Sequence, residues 1–213
     1  MPPRSYEQHC GLAHALDLVG ERWALLVVRE LILGPRRFTD LRAGLPGVAT
    51  NVLAARLREL EAGGVVARRR LPPPAASTVY ELTTYGRDLE PMLLALGRWG
   101  VRTLGPRRPG QSLRAGWIGV AMRAFARPER TRGLDERYEL RVGDEVLHAT
   151  ARDGEFTIAH GPAEAPAVVV ETDPQGLLGL LTGAVAPGDP AVRMEGDPAA
   201  AARLVGIVGF GPS

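Results

Sequence analysis

Apolar positions recur at helical spacing through the first hundred residues and alternate with polar ones through much of the second hundred. Residues 5–19 predict a first helix, with Leu12, Ala15, Leu16 and Val19 on one face. Residues 21–33 predict a second. Its Trp23, Leu26, Val27, Leu31 and Leu33 make it apolar around most of its circumference, as the central helix of a small bundle would be. After Gly34-Pro35, residues 36–41 open a short helix that the turn signal Leu45-Pro46-Gly47 closes. Residues 48–62 then carry Leu53, Leu57 and Leu60 at i, i+4 and i+7, one buried stripe, until Gly63-Gly64 stops the helix. Residues 65–71 and 78–82 read as two strands joined by the tip Pro72-Pro73-Pro74-Ala75-Ala76-Ser77. A closing helix over 83–102 places Leu89, Leu93, Leu96 and Trp99 in a stripe.

On the fourth helix Asn51, Ala54, Ala55 and Arg58 point away from the leucines. A helix entering a major groove needs small residues for close approach and a few donors for base edges, and Thr50, Asn51, Ala54 and Arg58 supply that mixture. Arg36, Arg37 and Thr39 at the start of the preceding helix are further candidate DNA contacts. Arg68 and Arg70 on the hairpin suit the phosphate backbone or minor groove. The bland use of the same stretch is a helix pair and hairpin that only pack a core. An arginine-bearing hairpin directly after the helix weighs against it.

Charge sharpens this picture. Residues 1–108 hold 16 Arg against 10 acids, and residues 109–213 hold 10 against 14, so the first half is the one suited to a polyanion. All 26 basic residues are arginine, which with 26 Gly and 18 Pro points to a GC-rich genome rather than to a mechanism. The net charge of +2 and the acidic second half disfavour an architectural protein that coats any DNA. Cys10 is the only cysteine, which excludes an internal disulfide and fits a reducing compartment. No charged segment followed by an apolar run begins the chain, and no stretch of about 18 apolar residues occurs, so the expectation is a cytoplasmic protein with no membrane partner.

Several ordered motifs carry a family resemblance: Cys10-Gly11-Leu12, Leu16-Asp17-Leu18-Val19-Gly20-Glu21-Arg22-Trp23, Arg29-Glu30-Leu31 and Arg37-Phe38-Thr39-Asp40-Leu41. So do the run from Leu53 to Val66 and Tyr80-Glu81-Leu82-Thr83 with Gly86, Leu89 and Trp99-Gly100. Together they resemble the HxlR-type winged helix-turn-helix regulators over about the first half of the chain. The resemblance implies a dimer that joins through its terminal helices and reads a pseudo-palindromic double-stranded operator, with repression as the default sign. The stripes on the first and closing helices suit such a homodimer; packing them internally is the other reading. Two residues depart from the family pattern: Cys10-Gly11 stands where Cys-Pro is usual, and Ala49 where a Ser usually precedes the recognition helix. The second shifts the cap to Thr50 or leaves it weak, at about 1 kcal/mol. The family's matching cysteine implies a possible thiol sensor at Cys10; a packed, inert thiol is the alternative.

Residues 105–112 are a linker by composition. Beyond them residues 113–125 predict a helix. Alternating runs over 137–142, 146–151, 155–159 and 167–172 predict four strands, the first three joined by Gly143-Asp144 and Asp153-Gly154 as in a meander. Asp173-Pro174 and Asp197-Pro198 each start a helix with an Asp cap and Pro in the first turn, and a short strand over 192–195 lies between those helices. The order helix, four strands, helix, strand, helix, with the Glu-Thr-Asp-Pro and Glu-Gly-Asp-Pro phrases, is similar to the sterol carrier protein-like fold. The chain is thus expected to be α+β: a winged helix-turn-helix domain (1–104), the linker (105–112) and a sterol carrier protein-like domain (113–213). The latter implies an apolar cavity for a small hydrophobic or amphipathic effector near Trp117, Met122, Phe125, Leu178, Leu181, Met194 and Phe210. A simply packed core, or a purely dimerising domain, remains open beside it.

Enzymatic chemistry finds no foothold. His9, His14, His148 and His160 are dispersed without metal-ligand spacing, and there is no nucleophile elbow, phosphate loop or dinucleotide fingerprint. No catalytic residue, metal or cofactor is therefore expected. An enzyme using the second domain's cavity is the remote alternative.

Overall fold

A computed structural model describes residues 5–73 and 76–209. The chain divides into two compact units, Met1–Leu93 and Leu94–Ser213. The first contains α1 (Gly11–Val19), α2 (Ala24–Ile32), α3 (Phe38–Gly44), α4 (Thr50–Ala62), the hairpin β1 (Val66–Arg70) and β2 (Thr78–Leu82), and α5 (Thr84–Arg87). The division falls inside α6 (Glu90–Val101). Leu53, Leu57 and Leu60 are each at most 1 % exposed, so the leucine stripe of α4 is the core face, set against α2 and β1. Val27, Val28, Leu31, Leu41 and Leu45 complete the packing from α2 and α3.

Three helices differ from their sequence reading, each for a local reason. Residues 5–10 do not wind: Asp17 accepts hydrogen bonds from the Ser5 hydroxyl (3.2 Å) and the Tyr6 amide (3.0 Å), folding the segment back so that α1 begins only at Gly11. Trp23 takes a left-handed backbone (φ 81°), which delays α2 to Ala24. The helix expected over 83–102 is two. The Thr83 hydroxyl accepts from the Gly86 amide (2.9 Å) and donates to the Gly64 carbonyl (2.6 Å), while a side chain at Gly86 would overlap the Val65 carbonyl. That seats α5 against the hairpin and turns the chain before α6. Of the wing tip, Pro74 and Ala75 lie outside the described residues.

The second unit adds α7 (Ala115–Phe125), a 3-10 turn (Pro128–Thr131), β3 (Asp135–Val142), β4 (Glu145–Arg152), β5 (Glu155–His160), β6 (Val168–Thr172), α8 (Pro174–Thr182), β7 (Arg193–Gly196) and α9 (Pro198–Val208). Its five-stranded sheet runs β5-β4-β3-β6-β7. The meander is present, but β6 leaves it and pairs parallel with β3, Tyr138 opposite Val168. Tyr138, Leu140 and Val142 face the helices and are fully buried, while Arg137, Glu139 and Arg141 take the opposite face. The β5–β6 connection crosses that second face. It is held by Glu139, only 4 % exposed, whose carboxylate accepts from the Ala163 amide (2.9 Å) and the Arg141 guanidinium (2.7 Å). Both predicted caps form: Asp173 accepts from Gly176 N–H (2.7 Å) and Asp197 from Ala199 N–H (2.9 Å).

Candidate nucleic-acid interface

Burial of the leucine stripe turns Thr50, Asn51 and Arg58 of α4 to solvent, with Ala54 and Ala55 half-buried between them. The N-cap is Ala49, in extended backbone and without a side-chain bond, so the weak-cap alternative is the one realised. Arg58 bends back along the helix, its Nε donating to the Ala54 carbonyl at 3.3 Å, which places the guanidinium beside the small residues. Arg56, on the flank, pairs instead with Glu59 and with Glu21 (3.7 Å) and anchors the helix.

The preceding helix presents Arg37 and Thr39, both exposed. Asp40 ties that end together by accepting from the Arg37 amide (3.0 Å) and the Thr39 hydroxyl (3.4 Å). Arg36 is placed differently. Its backbone pairs with Tyr80 in both directions (2.9 and 2.8 Å), adding a bridge to the hairpin, and its side chain is half-buried. In the hairpin Arg68 and Arg70 are exposed on one face, opposite Tyr80 and Thr78. Arg69 points the other way into a two-pronged pair with Glu81 (2.9 and 3.0 Å), which lowers the Glu81 carboxyl from its ordinary value and raises the arginine. The hairpin register thus separates two available arginines from one that is already spent.

One structural device was not read from the sequence. Glu30 is buried in α2, 7 % exposed, where it accepts from Arg29 at 2.6 and 3.0 Å, and Arg29 reaches the Gly44 carbonyl at 3.4 Å. The pair links α2 to the end of α3 and so fixes the angle of the helix-turn-helix. A lone acid inside Val27-Val28-Arg29-Glu30-Leu31-Ile32 was the signal that could have found it.

Cys10 is exposed at the N-cap of α1 rather than packed. It makes no side-chain capping bond, but the nearby Ala13 and Leu12 amides pull its thiol below the ordinary value. In the second unit, Met122 and Leu181 are fully packed, while Trp117, Phe125, Leu178 and Met194 are half-buried; Phe210 lies outside the described residues. A groove of about 550 Å³ opens elsewhere, at the ends of β3 and β6, lined by Arg141, Asp144, Glu171, Asp173 and Arg193 among others. Charged side chains alternate there with apolar ones, and none of Trp117, Met122, Phe125, Leu178, Leu181 and Met194 borders it.

With this geometry in place, the comparisons with known proteins are specific. Residues 18–108 match the HxlR-like helix-turn-helix family. The HTH-type transcriptional regulator sll1512 of Synechocystis is 40 % identical over 91 residues, covering 43 % of this chain and 67 % of that protein. Bacillus subtilis YvaP, also an HTH-type transcriptional regulator, is 37 % identical over 92 residues, covering 43 % of this chain and 85 % of its own. Among solved structures, the redox regulator HypR in its oxidised form is 33 % identical, with 46 % of this chain and 99 % of that chain covered and a TM-score of 0.42. The matched residues run from the end of α1 through α4 and the hairpin into the segment after α6, and on them the chain belongs to the HxlR-like family of helix-turn-helix transcriptional regulators.

Proposed function

We propose that the protein is a dimeric, sequence-specific regulator, acting by default as a repressor, in which α4 reads base edges and the hairpin grips the backbone. The observation that carries this is the exposed row Thr50, Asn51 and Arg58 behind a fully buried leucine stripe, with Arg68 and Arg70 unpaired beside it among the described residues. Arg37 and Thr39 add contacts at the start of α3. Dimerisation is supported by apolar side chains that neither terminal helix buries: Leu12 is 71 % exposed on α1 and Trp99 68 % on α6, with Leu96 and Met92 near it. The test is binding of the full chain to a duplex it selects from a random pool, compared with a scrambled duplex. Asn51→Ala should lose about 1–3 kcal/mol of discrimination, about 5- to 150-fold, at one base position. Equal loss on both duplexes removes Asn51 from base reading.

The second unit, in this proposal, is a sterol carrier protein-like receptor for a small hydrophobic or amphipathic effector. Its support is the order of its elements and the half-buried Trp117, Phe125, Leu178 and Met194 between or beside helices that cover one sheet face. The complete burial of Met122 and Leu181 favours the second reading, a packed unit that is purely structural. Native mass spectrometry after gentle purification separates the two: a carried apolar molecule supports the receptor, and an unliganded protein whose DNA affinity ignores hydrophobic metabolites supports the packed unit.

A further inference from the structure

The positive charge of this chain is concentrated away from its helix-turn-helix. Residues 1–90 hold 12 arginines against 10 acids, and residues 129–213 hold 7 against 14. Between Glu90 and Glu129 the chain has seven arginines and no acidic residue. Solvated surfaces normally intersperse the two signs, so an acid-free stretch of this length concentrates positive potential.

Four of the seven, Arg98, Arg102, Arg107 and Arg108, are exposed, and none is ion-paired among the described residues. Arg98 donates to the Ala124 carbonyl (2.8 Å) and Arg107 to the Gln111 carbonyl (2.8 Å), bonds that orient the side chains and leave their charge uncompensated. Arg98 and Arg102, four residues apart at the end of α6, share a side roughly opposite the Leu89, Leu93 and Leu96 stripe. The negative end of the helix dipole would account for cations there, but it does not reach Arg107 and Arg108. Those two sit on a turn closed by Gln111, whose side-chain oxygen accepts from the Arg108 amide (2.7 Å) and whose own amide donates to the Arg108 carbonyl (3.1 Å).

We infer that residues 98–108 form a further DNA contact, one that grips phosphates and reads no bases. It rests on the DNA-binding function proposed above: a chain already held on one polyanion offers it a second group of uncompensated guanidiniums, whose forked donors suit phosphate oxygens. The test uses the full chain carrying Arg102→Ala with Arg108→Ala, beside Arg102→Lys with Arg108→Lys. Affinity is measured from 50 to 200 mM salt for a duplex selected by the wild type and for a scrambled one. The alanine pair should weaken both duplexes by the same factor. Its plot of log affinity against log salt should be shallower by about 1.8, so that over this range it loses about 12-fold less affinity than the wild type. The lysine pair should restore most of the slope. An unchanged slope in an alanine pair that binds as the wild type does overturns the inference alone. So does retention of the wild type, and not the alanine pair, on phosphatidylserine vesicles with DNA binding unaltered, which would assign the arginines to a membrane surface. A wild type that binds neither duplex overturns the DNA-binding reading and this contact with it.

Discussion

Gly44 ends α3 in ordinary helical backbone, and by helix propensity alone its replacement with alanine should stabilise the protein by up to about 1 kcal/mol. The structure predicts the opposite sign. A methyl group at Gly44 would overlap the Glu30 carboxylate, a side chain 6 % exposed and paired with Arg29 at 2.6 Å. Making room means moving that carboxylate off its partner. Separating a buried pair costs about 3–5 kcal/mol, and Arg29, 20 % exposed, brings the figure to the lower end. Set against the propensity gain, Gly44→Ala should cost about 2 kcal/mol, a fall of roughly 8–16 °C in the melting temperature of a unit of this size. Scanning calorimetry on the full chain would read it as a shift of the first unit's transition. The decisive arm repeats the substitution in a Glu30→Ala background, where nothing stands in the methyl's way and the change should be neutral or stabilising. An equal cost in both backgrounds would refute the overlap as the cause, and a stabilised Gly44→Ala would refute it outright.

Three further outcomes are expected. Arg203 bonds Glu136 at 2.6 and 3.0 Å and holds its carboxyl below the ordinary value; such a group stabilises the fold above its unfolded pKa of about 4.3 and stops doing so as pH falls through the lower folded value. The stability gap between wild type and Arg203→Ala should therefore be full at pH 7 and shrink in acid below pH ~4, in urea melts across that range. Gly196→Ala should cost about 2–3 kcal/mol in the second unit, because its backbone has φ +110° and a side chain would overlap the Ala167 carbonyl that receives the Asp197 amide at 2.9 Å; a calorimetric shift under one degree would contradict this. Cys10 should alkylate with a lower pH midpoint in the folded chain than in the urea-unfolded chain, while Cys10→Ser leaves the response to a second-unit effector intact; loss of that response would move the sensor to the thiol.

What could be read in advance was whatever depends on neighbours in sequence. The buried stripe of α4, the strand Thr78–Leu82 and the two Asp-Pro helix starts follow from spacing and backbone chemistry within one or two turns, and the chain builds each of them. The exposed face of α4 was legible for the same reason: once Leu53, Leu57 and Leu60 turn inward, helical geometry decides that Asn51 and Arg58 turn out. Availability of an arginine, by contrast, depends on a partner across space. Nothing local distinguishes Arg69 from Arg68 and Arg70. Only the hairpin register, which brings Glu81 within reach of Arg69, does so.

The same limit explains the second unit. Alternation marked its strands correctly but says nothing about which strand each will neighbour, and a meander is the default when turns are short. The connection over 161–167 is long enough to do something else, and it carries β6 past β4 to lie parallel with β3. Its hold is Glu139, on the face opposite the helices yet buried under the connection it secures. A carboxylate buried by a crossing loop costs desolvation unless it is satisfied, and here each oxygen has a donor, one from Ala163 and one from Arg141. Glu139 thus makes the crossing specific rather than merely tolerated.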